Sequence, residues 1–457
     1  MGALQFKLFS ALCSICLIAN AELINYLPGQ PKKVTFKQYS GYIVTDEEYG
    51  RSLFYYFAEA QSKHALTLPL TIWLGGANGC SSAGNAIFTE NGPFRPTKDG
   101  KLITNAYSWN VASNMLYVDS PIGTGFSFSD TSSDYTNWNQ TMTVNENMKF
   151  LLKWFEKFPQ YKISDLYLAG DGSGGFLVPQ FGALVLEYNK KTDTPVNLKG
   201  LALGNLGLGT PGLAHDDYLW YHGAISEELY IMLKTVCSSV KQINESQHGN
   251  MSRDCQKVSD MLDEEIGEDF NMESFLMPKC VSSNSIASED IIGDPCLSQN
   301  TLDYLNQPEV TKALHVNKKR SPKHWDICEG QLECRKSAYL IKNFGALARL
   351  LERHIRLLLY SGDQDVLNPV VETRKFAQML AKELQLITLQ KNRPWYDGSQ
   401  VAGWSEGFGK LKEGINVTYL TFASMRGGSH FAPSTSPSKA LKLFKAFLEG
   451  SSPAIII

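Results

Sequence analysis

The residues most able to do chemistry sit in Tyr167-Leu168-Ala169-Gly170-Asp171-Gly172-Ser173-Gly174-Gly175-Phe176-Leu177-Val178-Pro179. Strand-like Leu166-Tyr167-Leu168 leads in, small residues make a sharp turn, and a helix-like run from about Pro179 to Tyr188 leads out. A strand, a tight turn and a helix form the elbow that presents a hydrolytic nucleophile. Here glycine occupies the apex, at Gly172, and the nearest hydroxyl is Ser173. An acid and a histidine follow in the order such a site requires, Asp365 in Tyr360-Ser361-Gly362-Asp363-Gln364-Asp365 and His430 in Arg426-Gly427-Gly428-Ser429-His430-Phe431-Ala432-Pro433. The acid would fix the imidazole tautomer and stabilise its protonated form. A plainer reading has Asp363 or Asp365 capping the helix near Asn368-Pro369.

Elements of two kinds must position these residues. Strand-like runs at Leu70 to Leu74, Asn114 to Asp119, Leu166 to Ala169, Gly200 to Leu203, Arg356 to Tyr360 and Val417 to Phe422 alternate with helical patterns. Glu146 to Phe158 has a helical apolar face, and a last helix spans about Pro437 to Leu448. This rhythm predicts an α/β fold with a mostly parallel central sheet and helices on both faces, and the elbow resembles that of the α/β-hydrolase type. Residues 206–311 break the rhythm and hold four cysteines, which predicts a lid insertion stapled by disulfides. The core is then 22–205 and 312–457.

Lys7, the apolar stretch Leu8 to Ile18 and Ala19-Asn20-Ala21 predict a signal peptide over 1–21. Beyond it no apolar run approaches the ~20 residues of a membrane span. Sequons at Asn139, Asn244, Asn250 and Asn416 fit the secretory pathway, with an extracellular or vacuolar/lysosomal destination. Without Cys13 and Cys16, seven of nine cysteines remain, an odd number in an oxidising compartment. Cys328 and Cys334 are not spaced like a metal knuckle, so no metal and no cofactor is expected. A net charge of -3 leaves no basic footprint for nucleic acid. A homodimer stays open.

The elbow resembles the Gly-Glu-Ser-Tyr-(Ala/Gly)-Gly turn of serine carboxypeptidases, with the serine falling on Gly172 and the tyrosine on Ser173. Trp73-Leu74-Gly75-Gly76-Ala77-Asn78-Gly79-Cys80-Ser81-Ser82 resembles that family's Trp-Leu-Asn-Gly-Gly-Pro-Gly-Cys-Ser-Ser. Leu53-Phe54-Tyr55-Tyr56-Phe57-Ala58-Glu59-Ala60, Glu90-Asn91-Gly92-Pro93-Phe94 and Asp119-Ser120-Pro121-Ile122-Gly123-Thr124-Gly125-Phe126-Ser127 extend the likeness over nearly the whole mature chain, which is most similar to the plant branch. The resemblance implies release of C-terminal residues from peptides by a Ser-Asp-His triad, or acyl transfer from glucose esters in some relatives. It implies an oxyanion hole from the N–H groups of Ala77 and Ser173. It implies a carboxylate grip at Gly75, Glu59 and Asp171, where Gly75 replaces asparagine and Asp171 replaces glutamate. It also implies the pairs Cys80–Cys328, Cys237–Cys255 and Cys280–Cys296, leaving Cys334 odd.

With Gly172 in the serine slot, the expectation is an impaired or inactive homologue that binds a peptide, an ester or a partner protein. Losing the serine of a comparable triad costs about 10⁶-fold in kcat. Losing the asparagine removes a charge-assisted bond worth about 1.5–3 kcal/mol. The alternative is a working carboxypeptidase or acyltransferase that uses Ser173. Ser81 and Ser82 are weaker nucleophiles because they lie on the oxyanion side.

Overall fold

In the computed structural model, residues 22–75, 80–172, 174–206, 215–238, 241–242, 245, 249, 251–280, 293–322, 324–328 and 343–451 are described. Ala77, Ser173, Asn244, Asn250, Cys334 and residues 1–21, the expected signal peptide, lie outside them.

Among the described residues twelve strands occur in chain order: β1 (Gln38–Asp46), β2 (Arg51–Ala58), β3 (Leu70–Trp73), β4 (Phe94–Pro96), β5 (Leu102–Thr104), β6 (Asn114–Val118), β7 (Leu166–Asp171), β8 (Leu198–Gly204), β9 (Arg356–Gly362), β10 (Ile387–Asp397), β11 (Gln400–Lys412) and β12 (Ile415–Met425). The chain divides into two compact units. The first comprises residues up to Leu168, Leu184–Lys199 and Asn300–Glu333; the second comprises Ala169–Ala183, Gly200–Gln299 and Cys334 onward. Of the expected lid over 206–311, the residues up to 299 fall in the second unit and the rest in the first.

In the first unit the strand order is β1-β2-β6-β3. β1 and β2 form an antiparallel hairpin, β2 pairs antiparallel with β6, and β6 pairs parallel with β3. Every residue of β2, β3 and β6 is buried, as continuous apolar strands covered on both faces should be. Helix Gln140–Lys157 supplies one cover. Its Trp154 stacks on Phe158 at 4.6 Å and meets Phe57 of β2 edge-on at 5.2 Å. Such aromatic pairs add to the area term of burial.

The second unit holds the end of β7, most of β8, and the order β8-β9-β12-β11-β10. β8, β9 and β12 run parallel. β12, β11 and β10 form an antiparallel meander of long strands. Apolar patterning marks only the middle of β12 there, because β10 and the hairpin tips alternate charged and exposed residues and show no apolar run. Antiparallel pairs thus flank the expected parallel strands, which makes the sheet mixed. Helix Gly174–Asn189 begins five residues earlier than Pro179 marks, and carries that proline in its interior. Helices Glu227–Thr235 and Arg253–Ile266 pack Leu229, Leu233, Val258 and Leu262 around the Cys237–Cys255 disulfide and against Val366. Among the described residues Cys80–Cys328 and Cys280–Cys296 are also joined as disulfides.

Candidate active site

The elbow is built as the small residues demand. β7 ends at Asp171, Gly172 turns with φ +47°, and a helix starts at Gly174. A positive φ is cheap for glycine and strained for residues with a Cβ. The Gly172 N–H donates to Gly204 O at 3.0 Å, and the Gly175 N–H donates to Gly172 O at 3.1 Å, so both ends of the turn are held.

Asp365 and His430 meet as the spacing predicts. His430 Nδ1 lies 2.9 Å from Asp365 Oδ2, with Asp365 fully buried and the imidazole 13% exposed. The other carboxylate oxygen, Oδ1, accepts the Asn368 N–H at 3.0 Å. The helix that follows, Val370–Glu383, has Pro369 at its N-cap and no side-chain cap, so neither Asp363 nor Asp365 caps it; Oδ1 braces the loop before it and Oδ2 faces the imidazole, as a triad acid would. Asp363 accepts the Gly427 N–H at 2.7 Å and ties the acid loop to the histidine loop. These loops approach closely because Gly362 lacks a side chain: a Cβ there would lie 2.2 Å from Gly428 O. Ser429 is buried and bonds Thr435 through both its N–H and its hydroxyl, while the Phe431 ring stands edge-on to His430 at 5.0 Å.

The far face of the imidazole points at the elbow. A Cβ built on Gly172 would lie 2.9 Å from His430 Nε2 and 3.4 Å from Cε1. The ring thus stands where a nucleophile's side chain would begin. Burial lowers the proton affinity of His430, but the charge and hydrogen bond of Asp365 outweigh it, helped by Asp171 and Glu273, and the pKa is pushed up to about 9. The ring is then largely an imidazolium at neutral pH.

Segment 272–275, in the expected lid, is stitched to both loops. The Val366 N–H donates to Met272 O at 3.2 Å, Phe275 N–H to Gln364 O at 2.9 Å, and His430 N–H to Glu273 O at 2.7 Å. Burial, together with the charges of Asp365 and Asp171, raises the pKa of the Glu273 carboxyl, against the opposing pull of His430. This strap leaves no trace in the sequence, because nothing in Asn271-Met272-Glu273-Ser274 is periodic or rich in motif residues.

The grip residues are placed as follows. Asp171 is buried at the end of β7. Gly75 bonds Ser82 twice, its N–H donating to Oγ at 3.0 Å and its O accepting from that hydroxyl at 2.9 Å. The Ser81 hydroxyl donates to Asp119 at 2.6 Å, so both serines are engaged structurally. Glu59 accepts from Tyr161 at 3.0 Å and Tyr39 at 3.5 Å, and burial with its charge pushes the Tyr39 pKa up to about 12. A third acid, not among the residues expected from sequence, is Glu90, which is buried and accepts from the Asn85 side chain at 3.2 Å. Its signal is the motif Glu90-Asn91-Gly92-Pro93-Phe94.

Comparison with known proteins accords with this geometry. A solved carboxypeptidase from Saccharomyces cerevisiae, described as prohormone-processing, superposes with a TM-score of 0.75 at 22% identity, covering 94% of this chain and 96% of that one, which shows the α/β-hydrolase fold. Serine carboxypeptidase-like 45 and 46 of Arabidopsis thaliana are 37% and 38% identical, each over 96% of this chain and 94% of the relative. The family model described as serine carboxypeptidase matches residues 28–450. The chain therefore belongs to the serine carboxypeptidase family.

Proposed function

We propose that this chain is a serine carboxypeptidase-fold protein that has lost acyl-enzyme chemistry and acts by binding a peptide, an ester or a partner protein. The observation that carries this reading is the 2.9 Å between His430 Nε2 and the position of a Gly172 Cβ. The imidazole stands close against the nucleophile's place, and no side chain at Gly172 can attack a carbonyl carbon. The changes at Gly75 and Asp171 alter the carboxylate grip in parallel. Asp171, Gly75 and Glu59 are offered as its remaining parts, with Glu90 as a further buried acid, and Ala77 and Ser173 as oxyanion donors.

The paired Asp365 and His430 favour a second reading, in which Ser173 is the nucleophile of a working hydrolase or acyltransferase. A fluorophosphonate probe separates the two. The purified protein is expected to stay unlabelled at levels that saturate an active serine hydrolase. Labelling of the natural chain that disappears in Ser173→Ala would reject the first reading.

Three disulfides fit passage through an oxidising secretory compartment. Among the described residues no helix is long and apolar enough to cross a membrane. Of the sequons, Asn416 is exposed at the start of β12, and exposed Asn139 caps helix Gln140–Lys157 by accepting the Met142 N–H at 3.0 Å through Oδ1. A glycan on the Asn139 nitrogen would leave that cap intact. Asn139→Asp is expected to lose one glycan mass with stability unchanged, whereas Asn139→Ala loses the glycan and about 1 kcal/mol. Intact-mass spectrometry and denaturant midpoints check both; equal stability of the two variants would remove the cap from the account.

A further inference from the structure

We infer that Asn205 is a positioning residue that joins the acid loop to the histidine loop and holds Asp365 Oδ2 at the imidazole. Asn205 follows β8 directly, is fully buried, and takes φ +42°. Asparagine is one of the few side chains at ease in that left-handed conformation. The turn aims its amide at both loops. Its Nδ2 donates to Asp365 Oδ2 at 2.7 Å and lies 3.2 Å from Ser429 O, and its Oδ1 accepts the Gly362 N–H at 3.3 Å. Its own N–H donates to Tyr360 O at 2.8 Å. A single amide thus contacts the end of β9, the acid, and the residue before His430.

The oxygen that Asn205 holds is the one that accepts the hydrogen bond of His430 Nδ1–H. A buried carboxylate with one oxygen bound to the Asn368 N–H could still rotate about its bond to Cβ. The Asn205 donor, shorter than the bond from His430, sets the plane in which Oδ2 meets the ring. It also satisfies a lone pair that would otherwise be costly to bury. The role does not depend on whether the site hydrolyses anything, since the acid–imidazole pair is present either way. Asp365, Asp171 and Glu273 are the acids whose charges act on the ring.

The test follows the ring itself. Protein labelled with ¹⁵N in histidine and asparagine would be titrated by NMR from pH 5 to about 11, a range chosen to bracket an ordinary histidine and a strongly raised one. In the natural chain a far-downfield Nδ1 proton is expected, and the Asn205 side-chain amide signals should shift with the His430 titration. Asn205→Gly keeps the positive φ and deletes the donor. It is expected to lose the downfield proton to exchange and to lower the titration midpoint by about one pH unit, a tenfold weaker proton affinity. Asn205→Asp turns a second acid toward Asp365 and should move the midpoint the other way. If both variants keep the natural midpoint and the downfield proton while only their melting temperature falls, Asn205 is a packing residue and the inference is overturned. Should neither variant fold, the unmutated chain decides: Asn205 amide signals that ignore the titration would also overturn it.

Discussion

Gly172→Ser is expected to gain covalent reactivity and lose stability in the same molecule. The elbow already supplies what a nucleophile needs, with φ +47° at the apex, a helix starting two residues on, and a histidine paired to an acid. The missing group is one hydroxymethyl. Adding it sets a Cβ 2.9 Å from His430 Nε2, closer than carbon and nitrogen tolerate, so the ring must retreat by a few tenths of an ångström. That retreat strains the bonds holding Nδ1 to Asp365, and a non-glycine residue at positive φ adds its own cost. The sum is expected to be about 1–3 kcal/mol of stability, read as a shift in denaturant midpoint. Once the ring has moved, the new hydroxyl lies within reach of Nε2 and can pass its proton there as it attacks in the fraction of molecules whose imidazole is neutral, a fraction that grows as pH rises toward the His430 pKa of about 9. Fluorophosphonate should then label the variant, and the rate on an activated ester should rise by at least about 10³-fold, short of the ~10⁶-fold a complete serine triad is worth. A folded variant that neither labels nor gains rate would mean that the site has lost more than its nucleophile.

Stability should fall by about 3 kcal/mol as pH rises through the titration of His430. The sign follows from the direction of the shift. Burial opposes charge on the ring, but Asp365, Asp171 and Glu273 together raise its pKa from 6.5 to about 9. The folded state therefore binds the proton more tightly than the unfolded chain. The contribution is fully present below pH 6.5 and is lost as pH climbs through 9. Guanidinium unfolding at pH 6, 7.5 and 9.5 measures it, and the stepwise loss should lie between the first and last of these. Asp365→Asn removes the largest favourable cause and leaves burial in command. In that variant the His430 pKa should drop below its ordinary value, stability at pH 6 should fall by roughly the same 3 kcal/mol, and the slope between pH 6.5 and 9 should vanish. A slope of equal size in both proteins would place its origin in some other group.

Part of the site is legible in the amino-acid sequence. The turn at Gly172, the acid after β9 and the histidine after β12 each lie in a short run whose residue types are dictated by local geometry: glycines where the backbone turns sharply or loops touch, and apolar strands just ahead of them. Local geometry leaves a local trace. Asp365 admits two readings in sequence, cap or partner of a histidine; the helix at Val370 has no side-chain cap, and one oxygen of Asp365 faces His430. Most of the β10–β12 meander is silent in sequence, because a strand exposed on one face and charged along its length has no continuous apolar signature.

The sequence by itself determined the order of elements, the family of fold, the cysteine pairs that the family resemblance implied, and the absence of a side chain at the elbow's apex. Only the tertiary structure decided which distant groups surround that apex. It brings Nε2 to within 2.9 Å of the Gly172 Cβ position, sets Asn205 between residues more than 150 positions away in the chain, and straps residues 272–275 across the acid loop and the histidine loop. Glu59 likewise carried a family role in sequence and proved to be bound by two phenols. The physical reason is common to all four. A hydrogen bond or a close approach between distant segments selects for distance and direction, which many residue types can meet, so it imprints no period and no motif on the chain.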